Sequence, residues 1–327
     1  AMSAPLALGI DLGGTKILSA VVDREGRVVC RDRRPTPAPE GPEAVVRAML
    51  ASARTALEME GLDLRSIAAV GVAAAGPSDP RRGVVYCSPH LPGWEGYPLQ
   101  AVLEREIGRP TFLLNDASAA ALAEHRLGAA RGSRDAIYIT VSTGIGGGLI
   151  LDGRLYLGVT GAAGEVGHII VAHDGPPCDC GGKGCWETLA SGTALAREAR
   201  RLAAEGKAPL ILEVAGGRPE EITAETVRQA VEQGDEAAGR LLARCAYFLG
   251  VGLASLINLL SPEVIVIGGG MTAFGERLLG PAIRTAGERS YPDLFARVRF
   301  APPDLGADAG VVGAALHALE QTLTWSP

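Results

Sequence analysis

The sequence lacks several features that would assign it to common functional classes. Its 31 Lys and Arg residues do not exceed its 37 Asp and Glu residues, and a net charge of −6 argues against a chain that binds nucleic acid along its length. The N-terminus has no basic segment that leads into an apolar one, so we expect no secretory signal. A Walker A motif and an intact G-x-G-x-x-G motif are both missing, which disfavours P-loop NTPases and Rossmann dehydrogenases.

An uninterrupted apolar run of membrane-spanning length is also missing. The stretch from Cys245 to Pro262 carries no charge, but it contains Ser, Asn and Gly residues, and we therefore predict a buried core helix there. Hydrophobic residues make up 47% of the chain against 21% charged residues, which excludes disorder for all but short segments. A length of 327 residues suits two domains.

Apolar runs joined by glycine turns occur in two places along the chain. Residues Leu6–Val22 predict a strand, a glycine turn and a second strand, followed by a polar turn into a third strand. Residues Ala136–Leu157 repeat this order. Further strands are predicted at 67–75, 112–114, 264–267 and 298–301, and helices near 43–60, 192–204, 224–232, 236–260, 274–289 and 310–322. This alternation predicts an α/β protein with two related halves.

The glycine turns are candidate phosphate-binding segments, because glycines expose successive backbone N–H groups to a polyanion. The first turn follows a carboxylate that could hold Mg²⁺ through water, and the last one ends a strand where an adenosine could lie. One such turn alone is equally well explained as a tight hairpin, so the inference rests on three turns in this order. The candidate nucleotide-binding residues are Asp11, Gly13, Gly14, Thr15, Lys16, Thr143, Gly144, Gly146, Gly268, Gly269 and Gly270.

Three of the six cysteines form a cluster near a histidine. Nine residues separate His168 from Cys178, and Cys180 and Cys185 follow closely. One imidazole and three thiolates are a typical ligand set for tetrahedral Zn²⁺. The alternatives are a disulfide between Cys178 and Cys185, or loop cysteines without a partner. A zinc ion with four protein ligands would be structural, because no position stays open for water.

Carboxylates near these motifs are candidates for chemistry. Asn115 and Asp116 lie between a short apolar run and an Ala-rich helix, where α/β proteins bind ligands at a crevice edge. The alternative for Asp116 is a helix N-cap. Glu165 and Glu187 flank the cysteine cluster, so a zinc ion that fixes His168 would bring them together. Two acids and an imidazole would suit a polyhydroxylated ligand, whereas solvated loop acids are the alternative.

From about Leu6 to Leu319, these motifs together resemble the ROK family of bacterial sugar kinases and sugar-responsive repressors, in particular its glucokinases. The His/Cys signature is the specific part, since the first glycine turn alone would indicate only the wider actin, heat-shock-ATPase and hexokinase group. The resemblance implies an α/β actin-like ATPase fold of the hexokinase type, with a duplicated strand-strand-strand-helix core and ATP in a cleft between two lobes. We expect residues 1–116 and about 309–327 to form the smaller lobe, and 117–308 to form the larger lobe with the zinc loop.

The resemblance also implies roles for individual residues. Asp116 would be the general base, and His168 would bind zinc through one ring nitrogen and the sugar through the other. The implied sugar-binding residues are Gly76, His90, Asn115, Asp116, Glu165, His168 and Glu187. The family typically has Asn at the position of His90, and an imidazole lacks the paired hydrogen bonds of an amide. We therefore expect less strict glucose selectivity.

The expected function is ATP-dependent phosphorylation of an aldohexose, with glucose as first choice, at the 6-hydroxyl group. ATP, Mg²⁺ and structural Zn²⁺ are the expected cofactors. We expect a cytoplasmic homo-oligomer, a dimer or tetramer, with a sugar and a nucleotide as partners and without nucleic acid or membrane. The alternatives are an N-acetylmannosamine or N-acetylglucosamine kinase, polyphosphate as donor, and a sugar-binding sensor. A repressor would carry a DNA-binding module before the first glycine turn, where only five residues precede Leu6.

Overall fold

The structure, a computed structural model, describes residues 5–76, 78–86 and 91–324. The chain divides into two compact units. The first comprises Ala1–Arg134, Gly148–Gly164 and Pro303–Pro327, and the second comprises Asp135–Gly147 and Glu165–Pro302. The helix that begins at Asp116 belongs to the first unit. The predicted lobe boundary at residue 116 assigns the rest of this helix to the larger lobe instead. The predicted lobes themselves stay a prediction.

The apolar runs of the sequence form the strands. In chain order these are β1 (Leu6–Leu12), β2 (Lys16–Val22), β3 (Val28–Pro35), β4 (Ile67–Ala74), β5 (Ser78–Asp79), β6 (Val84–Val85), β7 (Thr111–Asn115), β8 (Ala136–Val141), β9 (Ile145–Leu151), β10 (Arg154–Tyr156), β11 (Val264–Gly268) and β12 (Arg299–Ala301).

Two sheets repeat one topology. The first has the order β3-β2-β1-β4-β7, in which β1, β2 and β3 are antiparallel neighbours while β4 runs parallel to β1 and to β7. The second has the order β10-β9-β8-β11-β12, with β9 and β10 antiparallel and β11 parallel to β8 and to β12. The chain passes from the second unit to the first inside β9, after Gly147. This repetition confirms the predicted duplication of the core.

Helices connect and cover the strands. In chain order these are α1 (Pro42–Glu58), α2 (Leu99–Ile107), α3 (Asp116–Leu127), α4 (Glu187–Ala190), α5 (Gly192–Ala204), α6 (Pro209–Val214), α7 (Ala224–Glu232), α8 (Glu236–Leu260), α9 (Glu276–Arg289), α10 (Pro292–Phe295) and α11 (Ala309–Thr324).

The last helix packs closely on the first sheet. A Cβ atom at Gly9 in β1 or at Gly71 in β4 would overlap the backbone of α11, and a Cβ atom at Gly313 would overlap the backbone of α3. Glycine at these positions lets α11 approach the backbones of β1 and β4 on one side and that of α3 on the other. Because α3 packs along α11, and α11 packs on β1 and β4, α3 belongs with the first unit.

Helix α8 is the core helix predicted from the uncharged stretch. Of the described helices, only α8 is long and apolar enough to cross a membrane by length and composition. In the protein, 61% of its apolar 18-residue segment is buried. Leu249, Leu253 and Ile257 are fully buried on it. At Gly250 the helix packs closely on α9, within the core of the second unit.

Candidate functional site

The carboxyl end of β7 positions Asn115 and Asp116 at the start of α3. Asn115 Oδ1 accepts a hydrogen bond from the Ala117 backbone N–H at 2.9 Å, and Asp116 Oδ1 accepts one from the same N–H at 2.8 Å. The capping residue is Asn115, because its backbone is extended while Asp116 is already helical. The alternative that Asp116 is the helix N-cap is therefore wrong, because the cap is the preceding residue, Asn115. Burial raises the pKa of Asp116, as a general base requires.

Asp11 lies near the end of β1 in the same unit. Burial and, to a smaller extent, the negative charge of Asp116 raise the pKa of Asp11 to about 6, against the opposing effect of the ammonium group of Lys16. A Cβ atom at Gly310, in the first turn of α11, would lie 3.1 Å from Asp11 Oδ2. Glycine at this position leaves space beside the carboxylate. Gly310 was not among the predicted site residues, although a glycine at the start of an apolar helix is a visible signal in the sequence.

The first glycine turn is a tight connection between β1 and β2. The Gly13 backbone N–H donates to the Lys16 carbonyl at 3.0 Å. Thr36 supports the turn from outside, since its hydroxyl group donates to the Gly13 carbonyl at 2.8 Å and its backbone N–H donates to the Thr15 carbonyl at 3.0 Å. Thr15 is exposed, and Gly13, Gly14 and Lys16 are partly exposed. The turn is thus a hairpin that remains accessible to a ligand.

Gly76 follows β4 and adopts a φ of +90°, a backbone conformation that residues other than glycine rarely adopt. It is partly exposed. His90, the other residue expected to border the sugar from this part of the chain, lies outside the described residues.

The four predicted zinc ligands converge in the second unit. Ligand atoms of His168, Cys178, Cys180 and Cys185 all lie within 4.8 Å of one another. The Sγ atoms of Cys180 and Cys185 are 3.6 Å apart, and Nδ1 of His168 is 3.6 Å from Sγ of Cys178. A tetrahedron with zinc–sulfur bonds of about 2.3 Å has edges of about 3.8 Å, so this donor set fits Zn²⁺. All three cysteines are free thiols, against the disulfide alternative.

Glycines fold the cysteine loop back on itself. Gly181 and Gly184 have φ values of +90° and +69°. The Cys178 N–H donates to the Gly182 carbonyl at 2.9 Å, and the Gly184 N–H donates to the Pro176 carbonyl at 2.8 Å. A Cβ atom at Gly184 would overlap the backbone of Ala172. The loop therefore depends on glycine in order to bring Cys185 to the other ligands.

Two acids lie on either side of His168. Oε1 of Glu187 is 3.7 Å from His168 Nδ1 and 3.7 Å from Cys178 Sγ, while Oε2 accepts a hydrogen bond from the Ile145 backbone N–H at 3.4 Å. Oε2 of Glu165 is 4.0 Å from His168 Nε2. The structure thus brings the predicted acid–imidazole–acid group together, with Nδ1 on the cysteine side of the ring. Sugar binding by these residues stays a prediction.

The two glycine turns of the second unit lie side by side. The Ser142 N–H donates to the Gly144 carbonyl at 2.9 Å, and the Ser142 carbonyl accepts from Gly192 at the start of α5 at 2.7 Å. A Cβ atom at Gly270 would lie 3.6 Å from Ser142 Oγ, and one at Gly269 would overlap the backbone of Val141.

The predicted nucleotide residues of this unit differ in exposure. Gly270 and Thr143 are exposed, Gly144, Gly146 and Gly269 are partly exposed, and Gly268 is buried as the last residue of β11. Ligand access to the turns is therefore through the exposed residues, while Gly268 supports them from the strand.

Comparison with known proteins places these features in a family. Residues 7–321 match the ROK family. The chain is 38% identical over 319 residues to a glucokinase of Streptomyces coelicolor, covering 95% of this chain and 96% of that one. It is 35% identical over 321 residues to an N-acetylmannosamine kinase of Escherichia fergusonii, covering 97% and 99%.

A solved structure shows the same fold. The ROK family glucokinase from Streptomyces griseus, in complex with glucose and AMPPNP, is 38% identical and superposes with a TM-score of 0.79, over 96% of this chain and 99% of that one. The predicted actin-like ATPase fold is thereby confirmed. The repeated sheet topology, the convergent His/Cys cluster and these matches over nearly all of its length lead to one conclusion: the chain belongs to the ROK family.

Proposed function

We propose that this ROK-family sugar kinase transfers the γ-phosphoryl group of ATP to the 6-hydroxyl group of glucose. The observation that carries the proposal is the carboxyl group of Asp116, held at the start of α3 with a raised pKa beside a second such carboxyl group, that of Asp11. Similarity to the Streptomyces glucokinases, one of them in complex with glucose and AMPPNP, supports the choice of substrates.

In this proposal Asp116 is the general base. Its carboxylate accepts the proton of the 6-hydroxyl group as that oxygen forms a bond to the γ-phosphorus, while the bond from this phosphorus to the bridging oxygen breaks and ADP leaves. A raised pKa strengthens the carboxylate as a base. Asn115 uses Oδ1 for the helix cap, so its amide group is the part that would donate to a sugar hydroxyl.

Asp11 is the residue that would hold Mg²⁺, through water. The ion supplies positive charge to the phosphoryl oxygens when bound. Its presence would also favour the ionised form of Asp11, whose pKa of about 6 reflects burial and the charge of Asp116. The glycine turns at 13–16, 143–146 and 269–270 would bind the phosphates and the nucleoside through their exposed residues Thr15, Thr143 and Gly270 and the partly exposed glycines beside them.

Zinc would bind to the fitting donor set of His168, Cys178, Cys180 and Cys185. Its contribution is structural, since all four ligands come from the protein. With Nδ1 facing the cysteines, the opposite ring nitrogen of His168 is left for a sugar hydroxyl, together with Glu165 and Glu187. These hydrogen bonds would select a sugar over water as phosphoryl acceptor, and so prevent wasteful ATP hydrolysis.

Three free thiols at one site suit a reducing compartment, and we therefore propose that the protein acts in the cytoplasm. There, glucose 6-phosphate would enter glycolysis. A homo-oligomer, a dimer or tetramer, stays a prediction, as does the absence of nucleic-acid and membrane partners.

A coupled assay of ADP release over a panel of sugars tests the proposed function. The panel contains glucose, mannose, N-acetylmannosamine and N-acetylglucosamine, each with ATP as donor. Polyphosphate as donor releases no ADP, so in that arm the sugar phosphate itself is measured. We expect the highest kcat/KM for glucose with ATP. A preference for N-acetylmannosamine would move the protein to the activity of its Escherichia fergusonii relative, and ADP release that no sugar accelerates would contradict a sugar kinase.

A further inference from the structure

The first unit contains a cavity of about 750 Å³. It lies beside β7, with walls from α2, from α11 and from the segment Leu155–Gly161. Its volume is within the range of small-molecule sites, about 300–1,000 Å³. None of the residues assigned above to sugar, nucleotide or metal is among the described residues that line it.

The lining of the cavity combines an aromatic and aliphatic part with polar side chains. The rings of Phe112 and His317 form an edge-to-face pair, with centroids 6.3 Å apart and an interplanar angle of 87°. Leu155 and Leu157 add aliphatic walls. This surface would pack against a flat aromatic or alicyclic body.

His317 places an unused polar group in this wall. Its side chain is 8% exposed, and within the described part of the chain it makes no hydrogen bond beyond its ring contact. Burial lowers the pKa of His317 to about 4, so the ring is neutral at neutral pH. Among the described residues, the ring nitrogens of His317 do not belong to the fully buried side-chain atoms that lack a partner. They therefore keep accessible surface, and a ligand in the cavity could use the donor and the acceptor of the ring.

The charge of the cavity has one sign. Arg81 lines it, with Nη2 donating to the Gly158 carbonyl at 2.9 Å. None of the described lining residues carries a carboxylate. An anionic group on a ligand would therefore meet a guanidinium group and no opposing acid.

We propose that this cavity is a second ligand site, which binds a small organic monoanion with an aromatic or alicyclic body. The body packs on Phe112 and His317, and the anionic group pairs with Arg81. Because Phe112 lies in the strand that ends at Asn115, occupancy of the cavity alters the sugar kinetics. This coupling rests on the proposed function.

The test uses 8-anilinonaphthalene-1-sulfonate, a fluorescent aromatic monoanion, with the full chain in saturating glucose and AMPPNP. We expect saturable binding of one molecule per chain that the two substrates do not displace. Arg81→Gln should weaken this binding about two- to fivefold, as for an exposed ion pair. Its neighbour Arg82, which does not line the cavity, gives the matched control Arg82→Gln with unchanged affinity. Displacement by the substrates, or equal affinity in both variants, would overturn the site.

Histidine NMR locates the probe independently of the variants' stability. The sequence has five histidines, and the spectrum of His317→Gln identifies the His317 resonance. The probe should shift that resonance with the dissociation constant found by fluorescence, and leave the resonance of His173, which is 97% exposed, in place. A His317 resonance that does not move would overturn the proposal.

Kinetics separate the site from the proposed function. We expect the probe to change kcat/KM for glucose in the wild type and to do so less in Arg81→Gln. Unchanged kinetics with a shifted His317 resonance would overturn the coupling alone. Failure to phosphorylate glucose without the probe would overturn the proposed function and leave the binding result intact.

Discussion

The cysteine loop gives the sharpest structural prediction, through Gly184. Alanine there must adopt a φ of +69°, which costs a residue with a side chain about 1–2 kcal/mol. Its Cβ atom would also overlap the Ala172 carbonyl group, which accepts a hydrogen bond from Gly175 at 3.1 Å.

The loop has little freedom to relieve this overlap. Gly184 donates to Pro176 at 2.8 Å and accepts from Val171 at 2.9 Å, so a shift loses hydrogen bonds on both sides. Adding about 1–3 kcal/mol for the overlap to the backbone strain, we expect Gly184→Ala to lower the free energy of unfolding by about 2–5 kcal/mol.

Gly181 offers a matched control. Its φ is +90°, and a Cβ atom there would meet none of the described atoms within 4 Å, so Gly181→Ala should cost only the strain, about 1–2 kcal/mol. Urea unfolding, zinc content after dialysis against a chelator, and kinetics compare the two variants. We expect Gly184→Ala alone to lose zinc and to raise the KM for glucose, with little change in the KM for ATP. Equal stability and equal zinc retention would refute the reasoning.

Three further substitutions follow from burial and packing. Asp11→Asn should abolish most phosphoryl transfer. The substitution should also raise the free energy of unfolding at pH 7.5 by up to about 3 kcal/mol. The pKa of Asp11 is about 6 in the folded protein, so the wild type loses stability as the pH rises from about 4 to about 6. Urea unfolding should therefore show the gain in stability at pH 7.5 and no gain below pH 4. Glu124 is fully buried and accepts three backbone N–H bonds at 2.8–3.1 Å, so Glu124→Gln should cost about 1–3 kcal/mol in the same assay, and a loss below 0.5 kcal/mol would contradict this. Gly252→Ala should overlap the buried ring of Trp186 and destabilise the protein, whereas Gly239→Ala on the same helix meets open space among the described atoms and should be neutral or stabilising by thermal unfolding.

Local patterns carried most of the fold. The apolar runs and glycine turns at 6–22 and 136–157 predicted strands that the structure contains, and helices α5, α7 and α8 begin and end as predicted. Helix α2 was not predicted, because its helical spacing rests on only three buried side chains, Leu99, Leu103 and Ile107. Their burial depends on the core of the first unit that they pack into, which the local sequence does not show.

Contacts between distant parts of the chain were less accessible. The cysteine cluster was predictable because its ligands lie within 18 residues, and metal chemistry fixes their geometry. The Asn115 cap required knowledge of one backbone angle. The approach of Gly310 to Asp11 joins residues about 300 positions apart, and the cavity beside Phe112 forms only when α11 packs next to β7. No local pattern in the sequence reports such long-range contacts.

The role of Asp116 is the central claim, and turnover of Asp116→Asn tests it most directly. The substitution keeps the shape of the side chain and removes its ability to accept a proton. We expect kcat for glucose phosphorylation to fall by about 100-fold or more, while the dissociation constant for glucose, measured by calorimetry, changes little. Asp174→Asn, at a side chain that is 97% exposed, should keep wild-type values of both. A folded Asp116→Asn protein with near wild-type turnover would contradict the account.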